Sequence, residues 1–382
     1  MKFENGDIYL DYNATTPVDP SVFEAMVPYY KRSFGNPSSE HRQGHSTRAA
    51  VLRARRQVAS LLQCEPDEVI FTSGGSESNN LIMKGHAIQQ SSRGRHMVIS
   101  AVEHPAITQV AEYLTKHGFR VSILPVDGQG LVSPEDLEEI ITSKTILVSV
   151  MHANNEVGTI QPIQELAQIA HTHGALFHTD AAQSVGKIAT LVDDLECDAL
   201  SIAGHKLYAP KGVGALYLKR GIKIEPLIHG ANHENGHRAG TENVAQIVGL
   251  GAAAELAKNT IQQEQERIAG LRARLQTQLK LEFPQLRINA QGVERLPNTL
   301  SISFPDLNAL DLMGKLEKLM VSAGAACHSG DGKGSGVLEA MGVPLNYQLG
   351  TLRLSLGRYC DNALVDDVLK IFKSAIKSEG SH

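Results

Sequence analysis

The stretch that decides the fold reads Ser201-Ile-Ala-Gly-His-Lys-Leu-Tyr-Ala-Pro-Lys-Gly-Val-Gly214. It places Lys206 between two short apolar runs, 198–203 and 213–218, which are typical of buried strands. A lysine at the end of a buried strand can lose enough solvation to act as an amine nucleophile. The same stretch is also compatible with an ordinary surface lysine, so other segments have to distinguish the two interpretations.

Short apolar runs alternate with segments of helical periodicity along most of the chain. The runs lie at 68–72, 96–101, 121–125, 145–151, 175–179, 199–203 and 213–218, and helical patterning covers 20–32 and about 44–63. This alternation predicts an α/β fold with a mostly parallel sheet covered by helices. In such sheets, ligands bind at the carboxyl ends of the strands.

The pattern changes from about Asn259 onwards. A charged helix is expected over 262–281, followed by strands at 299–304 and 352–356 and two more helices. These elements predict a smaller α+β domain at the C-terminus. We therefore expect a large domain over 15–258 and a small domain formed by 1–14 and 259–382.

Composition and charge exclude several classes of protein. The chain has 382 residues, of which 42% are hydrophobic and 20% charged, and a net charge of -5. These values are typical of a globular protein and give no general attraction to nucleic acid or an anionic membrane. No apolar run reaches the roughly 18 residues of a membrane span, and the N-terminus has no apolar signal core. Four cysteines without CxxC spacing favour reduced thiols, so we expect a cytoplasmic protein.

Polar residues follow several of the predicted strands. Residues 72–80 are rich in Ser, Gly and Asn and lead into a helix, whose N-terminus is a suitable site for an anion. His104, the polar segment 152–158 and Asp180 follow later strands. Helix capping explains serine, glycine or aspartate at such positions equally well, and an isolated histidine is usually structural.

One segment has the residue order of a zinc site. His233-Glu-Asn-Gly-His237 matches the H-E-x-x-H pattern, which binds zinc only when both histidines lie on one face of a regular helix. Glycines at 230, 236 and 240 disfavour that helix, so we expect no metal.

Taken together, the motifs resemble those of the NifS/IscS-type cysteine desulfurases, which are fold-type I enzymes dependent on pyridoxal 5'-phosphate (PLP). The resemblance covers 9–375 and is highly specific only when the motifs are combined. The matching motifs are Leu10-Asp-Tyr-Asn-Ala-Thr-Thr-Pro, Gly35-Asn-Pro-Ser-Ser, Phe71-Thr-Ser-Gly, Glu103-His, Ala153-Asn-Asn-Glu-Val-Gly-Thr, Asp180-Ala-Ala-Gln, Gly204-His-Lys, Arg238-Ala-Gly-Thr-Glu-Asn, Cys327 and Leu352-Arg-Leu-Ser.

The resemblance implies a role for each matching position. Lys206 would hold PLP covalently, Asp180 would pair with the ring nitrogen, and Gln183 would hydrogen-bond the phenolic oxygen. His104 would stack on the ring and help to move protons. The phosphate would be held by Gly75, Ser76 and His205, and by Thr241 from the other subunit of a homodimer. The substrate carboxylate would be bound by Asn155 and Arg353.

Cys327 would be the nucleophile that takes sulfur from L-cysteine as a persulfide, leaving alanine, and passes it to a sulfur-acceptor protein. The surrounding segment, 324–336, is rich in glycine and therefore suits a mobile carrier thiol, although a plain surface loop with an incidental cysteine has the same composition. The other three cysteines are expected to be structural.

The chain departs from the family pattern in three places. Ala203 replaces a phosphate-binding serine, 230–235 lacks the usual glutamine and arginine, and 324–329 is closer to selenocysteine lyases. Selenocysteine lyase, a sulfur-relay subunit for tRNA thiolation or DNA phosphorothioation, and an aminotransferase of the same fold therefore remain alternatives.

Overall fold

A computed structural model describes residues 1–323 and 334–377. The predicted runs form one seven-stranded sheet. Its strands are β2 Val69–Thr72, β3 His96–Ser100, β4 Arg120–Leu124, β5 Thr145–Ser149, β6 Leu176–Asp180, β7 Ala199–Ala203 and β8 Gly214–Leu218. Their spatial order is β2-β8-β7-β6-β5-β3-β4, and only β8 runs antiparallel to its neighbours. The predicted α/β fold with a mostly parallel sheet is confirmed.

Helices cover both faces of the sheet, as its apolar strands require. Those before residue 244 are α1 Pro20–Lys31, α2 Arg42–Leu62, α3 Gly75–Gln89, α4 Pro105–Lys116, α5 Pro134–Ile140, α6 Ile163–Thr172 and α7 Val192–Leu195. One buried cluster joins α3 and α4 to the sheet, and a larger one joins α1, α2, α5, α6 and the start of α8 (Val244–Glu282) to the opposite face.

The remaining elements are β1 Ile8–Tyr9, β9 Arg287–Ile288, β10 Thr299–Ser303, α9 Ala309–Lys315, β11 Leu319–Met320, α10 Gly336–Ala340, α11 Leu345–Gln348, β12 Thr351–Ser355 and α12 Asn362–Lys377. They form a second core, except α10 and α11, whose apolar side chains pack in a separate small cluster with Val102, Met151 and Val157. Strands β12, β10 and β9 form an antiparallel sheet, and β1 pairs with β11. Buried side chains at 8–12 pack with those of 268–372. The division into domains 15–258 and 1–14 plus 259–382 stays a prediction.

The helix expected over 262–281 is the second half of a much longer one. Helix α8 is continuous over 39 residues and begins at Val244. Its first half is rich in alanine and glycine and carries little periodic signal. A Cβ on Gly251 would lie 2.6 Å from Ala54 Cα, and one on Gly249 would lie 2.7 Å from Met26 Sδ. The glycines therefore allow α8 to pack closely on α1 and α2. No helix in the described ranges is sufficiently long and apolar for a transmembrane span.

A buried ion pair attaches the segment before α8 to the edge of the large sheet. Glu234 accepts hydrogen bonds from both terminal nitrogens of Arg55 at 2.7 Å and from the backbone N–H of Phe71 at 2.8 Å. Its side chain is 3% exposed. Arg55 also donates to the carbonyl of Val69. Because Phe71 and Val69 belong to β2, this pair fixes the position of 230–240 relative to the sheet.

Substitution Glu234→Ala is expected to lower the free energy of unfolding by about 3 kcal/mol, because it leaves the Arg55 guanidinium buried without its carboxylate. Urea unfolding followed by circular dichroism measures the change. Asp67→Ala is the matched control, since it removes an exposed arginine pair (Arg220–Asp67, 2.8 Å) and should change stability little. Equal effects of the two substitutions would contradict the structural role of Glu234.

Candidate active site

The candidate site lies where β2, β7 and β6 end. Strand β7 runs into a single 3-10 turn, Gly204–Lys206, and β6 ends at Asp180. Strand β2 leads into α3, whose first residue approaches β7 closely: a Cβ on Gly75 would lie 3.3 Å from the Ala203 Cβ. The sheet thus brings Lys206, Asp180 and the N-terminus of α3 to one edge, as parallel strands do with the residues at their carboxyl ends.

Lys206 is mostly buried and donates to two backbone carbonyls, those of Asn13 at 2.5 Å and Ala14 at 2.9 Å. Burial lowers its pKa from 10.5 to about 8, and the charge of Arg353 acts in the same direction. Asp180 and Asp11 oppose this shift. A substantial fraction of the Lys206 amine is therefore neutral, and so nucleophilic, at mildly alkaline pH.

Asp180 is held by two donors. Its Oδ2 accepts from Asn79 Nδ2 at 2.7 Å, and its Oδ1 accepts from the Ala182 N–H at 2.9 Å. Asn79 lies on the second turn of α3 and is fully buried. Because both partners only donate to it, the carboxylate keeps a fixed orientation at the strand end.

The predicted phosphate ligands lie around the start of α3. Gly75 begins the helix, Ser76 is exposed, and the N-cap residue Gly74 provides no capping side chain. His205 is half-buried, with its Nδ1 3.2 Å from Thr15 Oγ1, and burial lowers its pKa to about 4, so it is neutral near pH 7. The Ala203 methyl group faces Gly75, so backbone N–H groups and Ser76 are the donors at this point.

Thr241 is exposed in the loop before α8. The same loop is attached to the first turn of α3, because Arg238 Nε donates to Glu77 Oε1 at 2.8 Å. The contact with a second subunit that the family resemblance implies for Thr241 stays a prediction.

His104 caps α4, where its Nδ1 accepts from the Ala106 N–H at 3.0 Å. An acceptor at Nδ1 places the proton of the neutral ring on Nε2. The preceding residue, Glu103, is buried, which raises its pKa to about 8 with a further contribution from Asp180. Glu103 Oε1 accepts from Ser100 Oγ at 2.6 Å and from the Met151 N–H at 2.7 Å, which fixes the backbone leading to His104.

Asn155 and Arg353 come together through the backbone. Arg353 Nη1 donates to the Asn155 carbonyl at 3.0 Å, and Nη2 donates to Asp11 Oδ1 at 2.6 Å. The residue is 7% exposed, and its Nε has no hydrogen-bond acceptor among the residues that the structure describes. Arg353 is thus a buried guanidinium with one N–H still available for a carboxylate.

Cys327 lies outside the described residues, but the chain on both sides of that segment is fixed near Arg353. Ser322 forms two backbone hydrogen bonds with Arg353, at 2.7 and 3.2 Å. Ser335 Oγ donates to Glu156 Oε2 at 2.6 Å, next to Asn155. The segment that contains Cys327 therefore begins and ends beside the predicted substrate-binding residues.

The helix required for a zinc site at 233–237 does not form. His233–Gly236 is a 3-10 turn in which Glu234 and Asn235 have left-handed backbone angles. Glu234 is held by Arg55, and the described residues contain no cluster of three metal-binding side chains.

Asn13, which sequence reasoning missed, connects many of the site residues. Its carbonyl accepts from Lys206 and from Gln183 Nε2, the latter at 2.9 Å. Its Oδ1 accepts from Asn298 at 2.9 Å and from Lys187 at 3.3 Å, and its Nδ2 donates to the Asn155 carbonyl at 3.1 Å. Only its place in the motif 10–17 could have indicated Asn13. The titratable residues of that motif are Asp11 and Tyr12, so an amide beside them carries no chemical signal of its own.

The chain as a whole is similar to known proteins. A model of the aminotransferase class-V family matches residues 8–368. The cysteine desulfurase IscS of Dictyoglomus turgidum is 45% identical over 373 residues, which cover 97% of this chain and 95% of that protein. A solved NifS-like protein has a TM-score of 0.92 at 38% identity, covering 97% of this chain and 100% of that one. A structure of SspA in complex with cysteine has a TM-score of 0.82 at 36% identity, covering 92% and 99%.

The reactivity of Lys206 should depend on pH with a midpoint near 8, because only the neutral amine attacks an aldehyde. Reductive methylation of the cofactor-free protein over a pH series, followed by mass spectrometry of the Lys206 peptide, measures this midpoint. Arg353→Gln should raise it, since a positive charge that disfavours the ammonium form is removed. A midpoint at the ordinary value of 10.5 would contradict the burial of the amine.

Proposed function

This chain belongs to the aminotransferase class-V family and, within it, to the IscS/NifS group, and we propose that it is a PLP-dependent cysteine desulfurase. The observation that carries the proposal is a mostly buried lysine at the end of β7, Lys206, which donates to the carbonyls of Asn13 and Ala14 and is acted on by the charges of Asp180 and Arg353. The relatives named as cysteine desulfurases cover nearly the whole chain, which supports the same activity here.

The residues present fit PLP. Lys206 is the amine that would hold its aldehyde carbon, and Asp180 would hold a proton on the ring nitrogen. Gln183 would donate to the phenolic oxygen, while the first turn of α3 and His205 would bind the phosphate. When bound, PLP supplies an electron-accepting ring. The Nε–H of Arg353, which has no acceptor within 1–323 and 334–377, supports an anionic partner there.

The proposed reaction consumes L-cysteine and the Cys327 thiol and yields L-alanine and a persulfide on Cys327. The bond between the substrate's β-carbon and its sulfur breaks, and a sulfur–sulfur bond forms. The carbon is reduced and the transferred sulfur oxidised, so no external oxidant is needed. Arg353 and Asn155 hold the carboxylate, while Lys206 and His104 move protons.

Among the described cysteines, two are poor candidates for this role. Burial raises the pKa of the Cys64 thiol to about 12 and raises that of Cys197 further still. Cys327 belongs to a segment that starts and ends beside Arg353 and Glu156, so its position in the chain suits transfer of sulfur from a substrate bound there.

Incubation of the PLP-loaded protein with L-cysteine should produce alanine and add one sulfur atom to the Cys327 peptide, as seen by mass spectrometry. Cys327→Ser should lower alanine formation at least about a hundredfold, because the nucleophile is lost. Cys64→Ser is the matched control and should keep the parent rate. If Cys327→Ser forms alanine at the parent rate, the persulfide role is wrong. Parallel assays that compare selenocysteine with cysteine as the substrate distinguish a selenocysteine lyase from a cysteine desulfurase.

We also propose a cytoplasmic homodimer that delivers sulfur to an acceptor protein. Three aromatic side chains on and just after α1 are strongly exposed in the single chain: Phe23 at 55%, Tyr30 at 58% and Phe34 at 76%. Exposed aromatic groups concentrated in one segment favour a protein interface.

Phe34→Asp should weaken dimerisation at least about tenfold, because it places a charge in an apolar interface. Sedimentation equilibrium measures the dissociation constant. Leu281→Asp, at the end of α8 and 70% exposed, is the control and should leave the dimer intact. A monomeric parent protein would contradict the proposed homodimer and the shared role of Thr241.

A further inference from the structure

A second lysine lies within the same hydrogen-bond network as Lys206. Lys187 Nζ donates to Gln183 Oε1 at 2.7 Å and to Asn13 Oδ1 at 3.3 Å. It belongs to the turn that follows β6, and the adjacent Gly186 has a φ of 79°. A Cβ on Gly186 would lie 3.1 Å from Leu207 Cβ, so this turn packs directly against the residue after Lys206.

The oxygen and the nitrogen of the Gln183 amide have different partners, which could not be exchanged. Lys187 has donors to offer, which selects the amide oxygen, whereas the Asn13 carbonyl can only accept, which selects the amide nitrogen. Rotating the amide by 180° would place an N–H₂ group against an amine and two oxygens against each other. Both partners therefore impose the same orientation.

One donor of Gln183 remains after these contacts. The amide nitrogen has two hydrogens, and the Asn13 carbonyl takes one of them at 2.9 Å. We propose that Lys187 is a positioning residue, which holds the Gln183 amide so that its second N–H is presented to an oxygen of the bound cofactor. This inference rests on the proposed PLP site.

The charges around Lys187 are consistent with a fixed place in the site. Burial holds its pKa well below the ordinary range, and the cations Lys206 and Arg353 act in the same direction. Lys187 in turn helps to lower the pKa of His205. A neutral or a charged Lys187 amine can donate to Gln183 Oε1, and the Asn13 carbonyl, which can only accept, keeps the amide in the same orientation in both cases.

The test is the pH midpoint of the visible absorption band of the bound cofactor. An N–H donor stabilises negative charge on the phenolic oxygen, so its loss should raise the pH at which the proton leaves. Lys187→Met removes the donor while keeping the side-chain length, and we expect the midpoint to rise by about one pH unit. Gln183→Leu should raise it by a similar amount. Lys219→Met, at the opposite end of β8 and paired with Asp198 at 3.9 Å, is the control and should not move it.

The double variant Lys187→Met/Gln183→Leu separates positioning from a direct effect of charge. If Lys187 acts through Gln183, the double variant should shift no further than Gln183→Leu alone. The inference is overturned if the shifts of the two single variants add in the double variant. It is also overturned if Gln183→Leu moves the midpoint and Lys187→Met does not. Either result would leave the proposed function intact.

Two further outcomes are also decisive. If Lys187→Met fails to fold, Lys187→Gln takes its place. Its side chain is polar but one atom shorter than that of lysine, and the inference requires the pH midpoint of the absorption band to rise in this variant too. A parent protein that binds no PLP at Lys206 overturns the proposed function and this inference together.

Discussion

The backbone carbonyl of Asn13 accepts the shortest contact made by Lys206, and the rest of the site depends on that hydrogen bond. A buried amine needs a hydrogen-bond acceptor, because an unpaired polar group is costly to bury. If its pKa is to stay low, that acceptor must stabilise the charged form less than water does. Two carbonyls from 13–14 provide this without adding a negative charge. Because Asn13 also bonds to Gln183, Asn155 and Asn298, the lysine's position is set by contacts with both the large sheet and the second core.

The balance of charge around Lys206 favours anionic ligands. Three basic side chains lie close together: Lys206 and Arg353 both lower the pKa of Lys187, Arg353 lowers that of Lys206, and Asp180 and Asp11 are the carboxylates that act on Lys206. Glu103 contributes little negative charge near pH 7, since burial raises its pKa to about 8. A phosphate and a substrate carboxylate would complete the balance, which is the pair of anions that the proposed reaction brings.

The sheet was predictable because its strands are short apolar runs with polar residues at their carboxyl ends, and all seven fell within two residues of the predicted bounds. The first half of α8 was not, because its alanines and glycines serve close packing on α1 and α2 and leave a weak periodic signal. Lys206, Asp180, Asn155 and Arg353 were identified through family motifs. Asn13, Asn79 and Lys187 were missed, since their contribution comes from contacts between residues distant in sequence.

The segment 230–235, where the chain departs from the family pattern, is held in place by a buried ion pair. The position of this segment depends on the bidentate contact of Glu234 with Arg55. His233 makes two further polar contacts: its Nδ1 accepts from the Gly240 N–H at 3.3 Å, and its Nε2 lies 3.4 Å from Ser38 Oγ. These bonds join the 36–39 turn to the loop that carries Thr241. Residues 230–235 therefore contact the 36–39 turn and the loop that carries Thr241, while Lys206 and Asp180 are held at the strand ends by other residues.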